Sequence, residues 1–173
     1  MKKTLIALTM AGMSVMSLHN AVASDSSTIK FTGSVEASSC DLDTDDMSSI
    51  SMPSVTQKDF TAKGATSAAQ SFTVKISDCP NTVKKAQLSV SGKADSTDSS
   101  LLAIDAGDNM ASGIAIALTA QGNPLAINTG KSVPRTVTNG ETTFDMTAKY
   151  VATSDTVVSG GVSASAQVNI TYM

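Results

Sequence analysis

The chain of 173 residues has no tryptophan, one histidine, one arginine and two cysteines, and aromatics make up only 3% of it. Each scarcity closes a class of function. A Ser-His-Asp triad needs a histidine beside its serine, and the only one here, His19, lies near the N-terminus. A zinc centre needs more nitrogen and sulfur ligands than this composition offers. Platforms that stack sugars or single-stranded nucleic acid need more rings than four Phe and two Tyr. The net charge of −3 and a pI near 4.9 argue against nucleic acid as a partner, since such binders carry basic patches. No apolar run reaches the ~18 residues of a membrane-spanning helix. The chain is therefore expected to be no enzyme and to carry no cofactor or metal.

What is abundant is serine and threonine, 26 and 21 residues. Hydrophobic residues make up 41% and charged residues 16%, enough apolar content to fold. This mixture favours strands and turns over a helical bundle.

The first 23 residues have the pattern of a secretory signal peptide. Lys2 and Lys3 form a positive start, Leu5 to Leu18 is mostly apolar, and Ala21-Val22-Ala23 is the small-x-small site that signal peptidase reads. Cleavage after Ala23 removes 23 of 173 residues and leaves 150, without the histidine. The loss of Lys2 and Lys3 moves the net charge from −3 to −5. Export places Cys40 and Cys79 in an oxidising space, where a single pair of cysteines is expected to form a disulfide. Closing a loop of about 40 residues contributes about 4 kcal/mol in the chain-entropy model.

Along the rest of the chain, apolar residues alternate with polar ones at the period of a half-buried strand. Ile29, Phe31, Gly33 and Val35 alternate with Lys30, Thr32, Ser34 and Glu36. Phe72, Val74 and Ile76 form one face of a second segment, and Leu88 and Val90 mark a third that ends near Gly92. Ile114, Ile116 and Leu118 define a fourth. Gln121-Gly122-Asn123-Pro124 is a turn signal, with Leu125 and Ile127 on the return. Asn139-Gly140 is a hairpin signal ahead of Phe144, Met146, Ala148, Tyr150 and Ala152. After Gly160-Gly161 the last segment puts Ala164, Ala166, Val168, Ile170 and Tyr172 on one face. Ala94–Ser100 is a polar turn region. Roughly seven short strands without a helical stripe predict an antiparallel β-sandwich of immunoglobulin type, in one domain.

Fragments of catalytic and binding motifs occur, but none is complete. Ser27-Thr28-Ile29-Lys30 has the Ser-x-x-Lys spacing but none of its partner motifs. Gly130-Lys131-Ser132 ends like a phosphate-binding loop, but Leu125 stands where the first glycine belongs. Asp41, Asp43 and Asp45 start like a calcium loop, yet Asp46 and Met52 occupy the positions of its glycine and glutamate. A solvated acidic loop accounts for them better than a weak calcium site does.

Taken in order, several segments resemble subunits of chaperone–usher pili, of the type 1 and long polar fimbria kind. These are Ile29-Lys30-Phe31-Thr32-Gly33-Ser34-Val35, Ser39-Cys40, Phe72 to Cys79, Gly113 to Leu118 and Phe144 to Thr153. Tyr172 matches the penultimate aromatic of such pilins, and Gly160 the glycine fourteen residues from the end. The resemblance implies an incomplete immunoglobulin-like sandwich, short of its last strand and completed by donor-strand exchange. It divides the chain into a signal peptide (1–23), an N-terminal donor extension (24–36) and a pilin domain (37–173). Ile29, Phe31, Gly33 and Val35 would form the donor strand, although Val35 fits the domain's own first strand equally well. Gly160, Ala166, Val168, Ile170 and Tyr172 would form the groove and C-terminal strand.

The partners so implied are a periplasmic chaperone, an outer-membrane usher, and copies of itself or related pilins. The location implied is a fimbria on a Gram-negative surface, supporting adhesion. Strand exchange is also sound physically: an alternating edge with nothing to cover it aggregates unless another strand pairs with it. A minor adaptor subunit is the alternative. A free-standing secreted binding module would instead need a complete sandwich.

Overall fold

The computed structural model describes residues 30, 32, 39–43 and 49–173. The signal segment 1–23 and the donor residues Ile29, Phe31, Gly33 and Val35 lie outside the described residues, as do Asp45 and Asp46. Of 24–36, Lys30 and Thr32 are described, and both are exposed.

Nine strands are described: β1 (Asp41–Leu42), β2 (Gln70–Ser77), β3 (Lys85–Gly92), β4 (Leu102–Ala103), β5 (Ile114–Ala120), β6 (Asn123–Leu125), β7 (Arg135–Thr136), β8 (Thr142–Ala152) and β9 (Ala166–Tyr172). They form two antiparallel sheets. The larger runs β1-β2-β8-β5-β4, with β6 also paired to β5. The smaller runs β7-β3-β9. One 3-10 turn, Gln57–Asp59, is the single helical element among the described residues.

Period two explains which strands form. In β8 every second side chain from Thr142 to Ala152 is buried, and Phe144 has no exposed surface. Val74 and Ile76 of β2 and Leu88 and Val90 of β3 meet it in the core between the sheets. Two tight turns reverse the chain, one setting the β5–β6 register and the other, closed by the Thr138–Glu141 bridge, leading into β8. Gln121 and Gly122 both have positive φ, as do Asn139 and Gly140, the pairing a type I′ turn requires. The first turn is narrower than its four-residue sequence signal, because Asn123 and Pro124 already pair with β5. Pro124 is tolerated there because β6 is an edge strand.

Cys40 and Cys79 are joined by a disulfide. It fastens the chain ahead of β1 to the chain just after β2, and the Cys79 amide donates to the Gly140 carbonyl at 3.0 Å. The β1–β2 pairing, the disulfide and the Asn139-Gly140 turn ahead of β8 thus meet at one end of the sandwich.

Candidate functional site: an open groove beside the last strand

β9 pairs with β3 over its whole length, from Ala86↔Tyr172 to Gly92↔Ala166. Lys85 and Met173 exchange both amide–carbonyl bonds, at 2.8 Å each. Bonded pairs alternate along an antiparallel ladder, so Gln167, Asn169 and Thr171 also point their backbone groups at β3. The amides and carbonyls of Val168, Ile170 and Tyr172 therefore face the other way. Among the described residues no strand or bridge pairs with that outer edge.

The side chains report the same gap. Ala86, Leu88 and Val90 of β3 are buried, whereas their partners Tyr172, Ile170 and Val168 in β9 are only half-buried. Along β2, Val74 and Ile76 are fully buried while Phe72, on the same face, is not. Leu118 in β5 is likewise half-buried, where Ile114 and Ile116 before it are covered. The inner faces of both sheets are thus incompletely covered along one side.

A groove of about 580 Å³ runs along this side. One wall is the segment Ser49 to Met52, and the other is Val162 to Ala166 with Val168 of β9. Phe72, Leu118, Met146 and Tyr150 line its inner surface. Small side chains at Ser49, Ser51, Ala164 and Ala166 leave the mouth open, and apolar ones form the floor. No titratable pair or nucleophile with a base partner lies among the lining residues. The groove can bury an apolar face and offers a row of backbone hydrogen-bonding groups, which is chemistry suited to an extended peptide.

The structure divides the groove residues expected from sequence. Ala166 and Val168 line the groove, while Ile170 and Tyr172 continue the same face of β9 beyond it. The Tyr172 phenol is held above its ordinary pKa, mainly by burial and secondarily by the Asp41 carboxylate. Gly160 stands ahead of β9 and outside the groove lining. A Cβ there would come within 2.4 Å of the Met110 carbonyl carbon and 2.5 Å of the Ala111 nitrogen. Gly161 bonds to Asn109 and Ala111 through its backbone, so this glycine pair anchors the wall 162–166 to the loop ahead of β5. The wall Ser49 to Met52 was not legible from the sequence: its Ser-Ile-Ser-Met alternation is only four residues long, too short to stand out as a strand, and only its place beside the gap gives it a role.

Comparison with known proteins points in one direction. The sequence profile described as "Fimbrial protein" matches residues 29–173. The long polar fimbria protein A of Salmonella typhimurium is 34% identical, over 99% of this chain and 97% of that one. The probable major fimbrial subunit of Escherichia coli O157:H7 is 32% identical, with the same coverage. Among solved structures, the P pilus rod subunit PapA superposes with a TM-score of 0.67 at 21% identity, covering 79% of this chain and all of PapA. That likeness shows the fold. A type I fimbria protein of Burkholderia pseudomallei superposes with a TM-score of 0.60 at 33% identity, covering 82% of this chain and 94% of that one.

Proposed function

Because the chain belongs to the fimbrial protein family, we propose that its groove receives an N-terminal segment from another copy and so builds a fimbria. The protein is a structural pilin subunit that polymerises by strand complementation. The observation that carries the groove's role is the outer edge of β9: backbone groups that no strand among the described residues pairs with, beside half-buried Val168, Ile170 and Tyr172.

An incoming alternating strand supplies what this edge lacks. Each large apolar side chain fully buried contributes about 1.5–3 kcal/mol, and each ladder hydrogen bond about 1 kcal/mol, before ordering costs. The segment 24–36, with Ile29, Phe31, Gly33 and Val35 in alternation, has the pattern to do this. An open apolar edge also needs cover before assembly, which is the task of a periplasmic chaperone, with an outer-membrane usher exchanging one cover for the other. The finished polymer then stands on the cell surface. The relatives include a probable major subunit, which favours the shaft over an adaptor position. The open edge speaks against a free-standing module.

Deleting residues 24–36 separates donor from acceptor. The deleted subunit, expressed with its chaperone and usher, should form no fibres by electron microscopy yet still bind a synthetic peptide of sequence 24–36. Fibres of normal length from the deleted subunit would refute the proposal.

A further inference from the structure

The smaller sheet has a second outer edge, on the far side of β3 from β9, and it is closed in an unusual way. Leu88, Val90 and Gly92 turn their backbone groups to that side. β7 covers only Lys85 and Ala86. The rest is met by the irregular segment 126–133. The Ser132 amide donates to the Leu88 carbonyl at 2.8 Å, and the Ser132 hydroxyl accepts from the Leu88 amide at 2.9 Å. The Asn128 amide donates to the Val90 carbonyl at 2.9 Å. The Asn128 side chain imitates a strand residue: its Oδ1 accepts from the Gly92 amide and its Nδ2 donates to the Gly92 carbonyl, both at 3.0 Å.

The segment is shaped for this work. Leu125 and Ile127 are buried and pin its start to the core. Asn128 has φ +65°, a conformation that asparagine tolerates better than most residues. The Gly130 amide closes a tight turn onto the Ala126 carbonyl, where a Cβ would come within 2.5 Å of the Ala126 nitrogen. Ser132 is buried although polar. Lys131 and Pro134 lie exposed along the outside, a charge and a missing donor of the kind that blunts sheet edges.

We infer that segment 126–133 is an edge guard, and that Asn128 and Ser132 restrict strand addition in the smaller sheet to β9. This rests on the reading of β9 as the acceptor edge. A polymerising subunit with two competent edges in one sheet would accept strands at both and branch or aggregate. Side-chain caps on β3 leave one.

The test uses the full chain and the variants Asn128→Ala, Ser132→Ala and the double substitution, each alone and with excess peptide 24–36. Amide exchange at Gly92 should accelerate about fivefold or more in Asn128→Ala, and at Leu88 similarly in Ser132→Ala, with Gln87 and Ser89 unchanged because they face β9. Ser132→Thr, which keeps the hydroxyl, should restore protection at Leu88. With the peptide present, the wild type should be monomeric by light scattering and the double variant should still associate. Should the double variant fail to fold, the exposed single substitution Asn128→Ala carries both readouts. Unchanged exchange at Leu88 and Gly92 overturns the inference, as does a folded double variant that stays monomeric with the peptide. Association of wild type despite the peptide counts against the β9 groove instead, and exchange at Leu88 and Gly92 still decides the guard.

Discussion

At the residue scale, Gly160 shows how sequence and structure divide the explanation. Its place relative to the C-terminus was legible in the sequence, but the reason for a glycine is the backbone of Met110 and Ala111 packed against it. Gly160→Ala should cost about 1–3 kcal/mol in chemical denaturation. Gly161→Ala, whose Cβ would meet the Met110 sulfur at 3.4 Å, should cost much less. Equal effects would mean that the close approach at 160 is not what anchors the groove wall.

Tyr150 and Tyr172 allow a second prediction at this scale. Burial raises both phenol pKa values, with a further contribution from Asp41 at Tyr172. A raised folded-state value means the fold prefers the neutral phenol. The stability it contributes is fully present below the unfolded value near 10 and is lost as pH rises through the folded value. Urea unfolding between pH 8 and 12 should show falling stability, and Tyr172→Phe should make the fall shallower. Equal slopes for the two proteins would remove Tyr172 as a source of the pH dependence.

At the scale of elements, alternation made β2, β3, β5, β8 and β9 legible, because one face of each carries larger apolar side chains and the other mostly polar or small ones. The two-residue strands β1, β4 and β7 were not. They carry too few residues to show a period, and their pairing is decided by what lies next to them. Ala94–Ser100, a polar turn by sequence, is a turn held by Asp95 and Asp98, and it leads straight into β4. Gly130-Lys131-Ser132 has the look of a phosphate-loop fragment and is part of the cover on β3. Truncation after Val168 removes the ladder from Asn169 to Met173 and the burial of Ile170 and Tyr172. It should cost at least about 3 kcal/mol and sharply lower the subunit's level in the cell, read by immunoblot. An unchanged level would contradict a structural role for β9.

At the scale of the whole molecule, a sandwich with one groove left open has little stability to spare. Domains of this size hold about 5–15 kcal/mol in total. The Cys40–Cys79 disulfide, closing residues 39 apart, contributes about 4 kcal/mol in the chain-entropy model. Reduction should therefore lower the denaturant midpoint strongly in the isolated subunit. The composition is consistent with the proposed strand exchange, which calls on backbone groups and apolar side chains rather than on histidine or charged pairs. The fold class and the incomplete sandwich were legible in the sequence. The groove walls were not, because they are made by segments from distant parts of the chain that only the fold brings together.

The sharpest test of β9 as the acceptor edge is amide exchange along the strand, measured in the isolated subunit and again in assembled fibres. Gln167, Asn169 and Thr171, which face β3, should be protected in both states. Val168, Ile170 and Tyr172 should exchange freely in the subunit and become protected only in the fibre. Equal exposure of these three amides before and after assembly would show that no strand is added there.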